Sequence, residues 1–188
     1  MNILLGITGS IAACKSAEII STLNQNNHTV KVILTKQGSK FITPLTCQAL
    51  SGNQVFVNFE SANTPNQMDH INLARWCDLL LIAPASANLI AQLADGMAND
   101  LLSTIFLATS APTWIAPAMN SIMWQHPTVQ NNIAKLSKLG VNCLGPEIGM
   151  LACKENGPGR MMEPAKIIKQ LPLTQTPQLL INKKVLIT

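Results

Sequence analysis

The stretch Asp78-Leu79-Leu80-Leu81-Ile82-Ala83-Pro84-Ala85-Ser86-Ala87-Asn88 decides the fold. Five consecutive apolar residues, bounded by Asp78 and Pro84, have strand length and no polar alternation, the pattern of a strand covered on both faces. The same unit recurs on either side. Ile3 to Thr8 is a short apolar run, followed by Gly9-Ser10 and a helical stretch from Ile11 to about Asn24. Val30 to Thr35 precedes a helical segment around 39–51, and Val55 to Phe59 reads as a short third strand. Ser86 to about Leu107 reads as two helices broken near Gly96. A strand over Thr113 to Ala116 is ended by Pro117. Ser121 to Leu139 is helical with Gly140 as its C-cap, and Val141 to Leu144 closes the series. Strands alternating with helices predict an α/β fold built on a parallel sheet.

Composition agrees. The chain has 188 residues, 47% hydrophobic and 12% charged, with a net charge of +4. That is apolar enough for a sizeable core and too poor in charge for a disordered chain. The apolar run from Leu79 meets Pro84, Ser86 and Asn88 too soon for a membrane span. With no Lys/Arg run longer than two and no Tyr, a nucleic-acid partner is not expected. Five cysteines, Cys14, Cys47, Cys77, Cys143 and Cys153, form no CxxC pair. The reading is a reducing compartment without a zinc site. Ile11-Ala12-Ala13-Cys14 imitates a lipoprotein processing site, but no basic residue precedes it and Thr8, Gly9 and Ser10 interrupt the apolar segment. A cytoplasmic protein is expected. Residues 135–188 carry 8 basic and 3 acidic side chains, a bias that suits an anionic small molecule.

Small polar residues cluster at the ends of the expected strands. The Gly9-Ser10-Ile11 turn lets backbone N–H groups approach a phosphate at a helix N-terminus, although a tight turn without a ligand reads equally well. Thr35 ends the second strand, where taken alone it is a helix cap. Ser86 is explained by capping; Asn88, a poor helix former, is not. Pro117-Ala118-Met119-Asn120 repeats the arrangement. Three strand ends of this kind are better explained by one crevice-bound ligand than by three accidents. His70 alone reads as a surface histidine, but it leads into the Leu79 strand. From Gly145 to Pro164 the chain is rich in Gly and Pro and reads as a long functional loop. Cys153 sits in it beside Lys154 and Glu155, in poor surroundings for a core cysteine. Ala165 to Leu171 is a short helix, 172–182 a linker, and 183–188 the first strand of a further, truncated domain.

Taken in order, the strings identify a resemblance. His70-Ile71-Asn72-Leu73-Ala74, Pro84-Ala85-Ser86-Ala87-Asn88 with Gly96 and Asp100-Leu101-Leu102, Pro117-Ala118-Met119-Asn120 with Met123-Trp124, and Ala152-Cys153 before Gly157-x-Gly159-Arg160-Met161 resemble the homo-oligomeric flavin-containing cysteine decarboxylases. Among these the likeness is to the phosphopantothenoylcysteine decarboxylases, over residues 1 to about 171. The resemblance implies a flavodoxin-like or Rossmann-like sheet with helices on both faces, binding FMN in a homo-oligomer (trimer or dodecamer). It implies decarboxylation of a phosphorylated thiol, 4′-phosphopantothenoylcysteine, by transient oxidation to a thioaldehyde, loss of CO2 and re-reduction. On this basis Gly9, Ser10, Ile11, Thr35, Ser86, Asn88 and Met119 hold the flavin. His70 is a base, Asn120 engages the substrate carboxylate and Cys153 is a proton donor. Met123, Gly157, Gly159, Arg160 and Met161 belong to the substrate side, and 183–188 to a fused phosphopantothenate–cysteine ligase domain.

The chain departs from the family pattern at Lys154, where Gly is common, and at Leu89, Gln92 and Asn99. Gly permits a positive φ that Lys does not readily adopt, so Lys154 bears on how the loop closes. Competing readings are a peptidyl-cysteine decarboxylase, a flavin prenyltransferase and a non-catalytic regulatory subunit on the same fold.

Overall fold

The computed structural model describes residues 1–57 and 69–173. Its centre is a six-stranded, wholly parallel sheet. In chain order the elements are β1 (Asn2–Ile7), α1 (Ser16–Gln25), β2 (Thr29–Leu34), α2 (Pro44–Ser51), β3 (Val55–Phe56), α3 (Asp69–Trp76), β4 (Leu79–Ala85), α4 (Ala87–Ala94), α5 (Leu101–Ala108), β5 (Thr113–Pro117), α6 (Ser121–Gln125), α7 (Pro127–Lys138) and β6 (Asn142–Cys143). A two-stranded antiparallel hairpin, β7 (Glu147–Met150) and β8 (Asn156–Arg160), and α8 (Pro164–Gln170) follow. The sheet order β3-β2-β1-β4-β5-β6 is that of a doubly wound α/β fold. Its direction of winding reverses between β1 and β4.

The expected core strand occupies the middle. Every residue of β4 is buried, paired with β1 on one side and β5 on the other. Side chains alternate between faces. Ile3, Leu5, Leu79 and Leu81 pack with Ile19 and Leu23 of α1 and Ile167 of α8. Leu4, Leu80 and Ile82 pack with Ile90 and Leu93 of α4 and Leu102 and Ile105 of α5. Helices on both faces make the continuous apolar run of β4 intelligible.

Several local expectations are corrected. The helix expected from Ile11 opens as a 3-10 turn over Ile11–Lys15, and α1 proper begins at Ser16. The segment around 39–51 divides into a 3-10 turn, Gly38–Lys40, and α2, whose start is set by Pro44 with Thr43 as its cap. The helix expected over 121–139 is two, because Pro127 keeps His126 out of helical backbone (φ −61°, ψ 130°). β4 runs one residue past Pro84, to Ala85, and β5 ends at Pro117, which is its last residue. The Gly/Pro-rich loop after Gly145 is the β7–β8 hairpin, whose strands carry too few β-branched residues to announce themselves. Phe59 and residues 174–188, including most of the expected linker and the terminal strand, lie outside the described residues. Among the described residues no helix is long and apolar enough to cross a membrane.

Candidate active site

Four strands bring their carboxyl ends to one edge of the sheet, and the residues just beyond them line a cleft of about 1020 Å³. Thr8, Gly9 and Ser10 follow β1; Thr35 and Gln37 follow β2; Ser86 and Asn88 follow β4; Ala118 and Met119 follow β5. The cleft therefore lies where the winding reverses, the place such sheets bind ligands.

Backbone and hydroxyl bonds fix this edge. The Thr8 hydroxyl, buried, donates to the Pro84 carbonyl (2.8 Å) and accepts from the Ser86 N–H (2.9 Å), clamping the ends of β1 and β4 together. The Thr35 hydroxyl donates to the Ile7 carbonyl and accepts from the Gly38 N–H, so it caps a turn, as its type suggests, while lining the cleft. Ser86 caps α4 through a bond from the Leu89 N–H; Asn88, exposed, stands in the first turn of that helix. At Gly9 a Cβ would come within 2.5 Å of the Gln37 side chain and close to its backbone. That glycine is required by packing between two of the loops.

A second cleft, about 580 Å³, shares Ser10, Ala118 and Met119 with the first. Its walls include Ile11, Asn120, Cys153, Gly159, Arg160 and Met161. Asn120 is the N-cap of α6: its Oδ1 accepts from the N–H groups of Ile122 (2.8 Å) and Met123 (3.4 Å). This leaves its Nδ2 donors for the cleft, where they face Cys153 Sγ at 3.7 Å and Glu155 Oε2 at 3.4 Å. Cys153 stands at the tip of the β7–β8 hairpin, held by bonds from Leu151 N–H to the Glu155 carbonyl and from Lys154 N–H to the Leu151 carbonyl. Residues 33 positions apart in sequence are thus brought together at one point.

The structure does not gather every expected residue. Met123 lines the first cleft and Ile11 the second, the reverse of the sides expected for them. Gly157 lines neither; it lies against Ser121, whose Oγ would be 2.5 Å from an added Cβ. His70 lines neither cleft. It is in the first turn of α3, which runs antiparallel into β4 and so starts at the carboxyl edge.

A flavin mononucleotide fits the donors on display. The first cleft is at the upper end of the usual size of cofactor sites, about 300–1,000 Å³, and is lined by hydroxyls and amides with apolar Ile33, Leu101 and Leu102. Its wall includes Gln92, whose Oε1 is buried with no hydrogen-bond partner among the described residues. A buried acceptor left this way calls for a ligand donor.

A model of the flavoprotein family matches residues 1–172. The chain belongs to that family. This flavoprotein is 47% identical over 186 residues to the coenzyme A biosynthesis bifunctional protein CoaBC of Vibrio cholerae, covering 99% of the chain and 47% of the relative. It thus spans about half the length of the curated relatives it matches. Among solved structures it is similar to a PPC decarboxylase mutant complexed with pantothenoylaminoethenethiol (TM-score 0.79, 31% identity, 89% of this chain and 94% of that one). It is also similar to the FMN-dependent cysteine decarboxylase SpaF (TM-score 0.76, 28% identity, 90% and 96%).

Other site residues of this flavoprotein had no sequence signal. Thr8 is one; Gln92 stood out only as a departure from the family pattern. Lys15, which lines the second cleft, donates to both carboxylate oxygens of Glu163 at 2.9 Å, and Arg160 pairs with the same carboxylate. The Lys15 ammonium, with Arg160 beside it, holds the Glu163 carboxyl below its ordinary value of 4.5 against a smaller opposing push from burial. Glu163 is the N-cap of α8 but makes no capping bond with its side chain; it serves the two cations instead. Only the folded chain could reveal this, since Lys15 and Glu163 are 148 positions apart.

Proposed function

We propose that this chain is the decarboxylase that converts 4′-phosphopantothenoylcysteine to 4′-phosphopantetheine with FMN, as a homo-oligomer in the cytoplasm and as one half of a protein that also carries the ligase. The observation that carries the reading is the meeting of Asn120 and Cys153 in a cleft that shares Ser10, Ala118 and Met119 with the one suited to a flavin. The relatives support it: CoaBC is named for coenzyme A biosynthesis, and a PPC decarboxylase and an FMN-dependent cysteine decarboxylase share the fold. Five free cysteines among the described residues support a reducing compartment. Exposed Ile11 and Met150 on the rim of the second cleft support coverage by another copy.

Gly9, Ser10, Thr35, Ser86, Asn88 and Met119 would hold FMN, with Gln92 accepting a hydrogen bond from it. When bound, FMN supplies a reversible two-electron acceptor for the carbon that carries the substrate thiol. Asn120 offers only N–H donors to the cleft, because its oxygen is spent on the α6 cap. It therefore orients a carboxylate without ion-pairing it, and an ion pair would stabilise the charge that must be expelled. Cys153 would supply the proton of the last step from the hairpin tip, and His70 would accept one in the first. Lys15 and Arg160 share the single carboxylate of Glu163 and so leave a net positive charge beside the second cleft, which suits a substrate phosphate.

Rapid-mixing spectroscopy with CO2 detection tests these roles. Cys153→Ser is expected to release CO2 yet leave the flavin reduced and the product oxidised; normal turnover would remove the acid assignment. His70→Asn is expected to leave the flavin oxidised on mixing with substrate; prompt bleaching would refute its role as base. A panel pairing the phosphorylated substrate with a peptide ending in cysteine separates this reading from a peptidyl-cysteine decarboxylase.

A further inference from the structure

The donor that the proposed reaction needs is shared with a carboxylate of the chain itself. Asn120 is oriented without ambiguity, since its Oδ1 must be the atom that accepts from the Ile122 and Met123 N–H groups. Its Nδ2 then faces Oε2 of Glu155 at 3.4 Å. The same Oε2 lies 3.5 Å from Cys153 Sγ and accepts from that thiol. One carboxylate oxygen thus ties together the carboxylate donor and the proposed acid, and both carboxylate and thiol ride on the hairpin tip, two residues apart.

We propose that Glu155 is a positioning residue that competes with the ligand carboxylate for Asn120 Nδ2. The inference rests on the decarboxylase reading, in which Asn120 engages that carboxylate. Two anions cannot share one amide without mutual repulsion, so a ligand carboxylate arriving at Nδ2 moves the Glu155 carboxylate off it. Because Cys153 hydrogen-bonds to the same oxygen, the thiol shifts with Glu155. Binding of the acid is thereby linked to the placement of the proton donor. Once CO2 has departed, Glu155 regains the donor, and a ligand lacking a carboxylate meets no competition. The contact acts against the substrate's charged group and leaves the rest of the molecule unaffected. Binding energy is thus withheld from the ground state at the group that will be lost.

Calorimetry on the FMN-loaded protein tests this with two ligands. S-methyl 4′-phosphopantothenoylcysteine has the carboxylate but no free thiol; 4′-phosphopantetheine has no carboxylate. Glu155→Gln and Glu155→Ala are expected to bind the first about three- to tenfold more tightly than the wild type, the range of an exposed charge-assisted contact. Both are expected to bind the second within about twofold of wild type. Equal changes for the two ligands would mean a merely structural role, and no tightening of the acid would also overturn the assignment. If the wild type binds both ligands and the variants do not discriminate, the Glu155 assignment alone falls. If the wild type binds neither, the decarboxylase reading fails and this inference fails with it.

Discussion

Lys154 occupies left-handed backbone at φ +65°, next to Cys153 on the hairpin tip. Such a conformation costs a residue with a Cβ about 1–2 kcal/mol, a cost that glycine avoids in exchange for a looser unfolded chain. Lys154→Gly is therefore expected to leave stability unchanged or raise it by up to about 1 kcal/mol. Lys154→Val, branched at Cβ, should lower it by about 1–2 kcal/mol; urea unfolding of the two variants checks the contrast. This strain was legible in advance, because a long side chain stands where the family pattern has Gly. Asn88 was legible for a similar reason, being a poor helix former in a helical first turn. Thr8 was not: its clamp on Pro84 and Ser86 spans 76 and 78 positions of sequence and exists only once β1 lies beside β4.

At the scale of elements, β8 lies directly on the segment between β5 and α6. The Met119 N–H donates to the Gly159 carbonyl at 3.0 Å, and a Cβ on Gly159, whose φ is +133°, would collide with the Met119 carbonyl oxygen. Gly159→Ala is expected to lift the strand and destabilise the protein by about 2–3 kcal/mol, visible as a lowered urea midpoint with an unchanged slope. The glycines were read from sequence as parts of a loop, and their actual reason, close backbone approach within a hairpin, needs the partner strand to be seen. Glu163 ties this strand to the turn after β1. Its carboxyl is held low by Lys15, so its contribution to stability is present above pH 4.5 and lost as pH falls through the folded value beneath it. Glu163→Gln should abolish that part of the acid dependence, measured as unfolding midpoints between pH 3 and pH 7.

For the whole molecule, the sheet was the most readable level. An unbroken apolar run in β4 and helices between the strands are consequences of burying a parallel sheet on both faces, whereas the small polar residues at the strand ends line the crevice at its carboxyl edge. Where the helices start and stop was less readable, since Pro44 and Pro127 had to be weighed against apolar periodicity. The proposed cofactor adds a global prediction. A ligand that binds the folded chain alone stabilises it by about 2.7 kcal/mol at a hundred times its dissociation constant. FMN at that excess is expected to raise the Tm by about 5–11 °C. Gln92→Leu should reduce the increase and weaken FMN in a fluorescence-quenching titration. An unchanged Tm with FMN would contradict the assignment of the first cleft.

Ser10, Ala118 and Met119 are the lining residues common to the two clefts. The hairpin tip from Leu151 to Cys153 adjoins the second cleft and is absent from the lining of the first. Under the proposed function, that division of labour is open to engineering: varying the tip around a retained Cys153 is expected to change which acid is accepted while the residues proposed to hold FMN stay untouched.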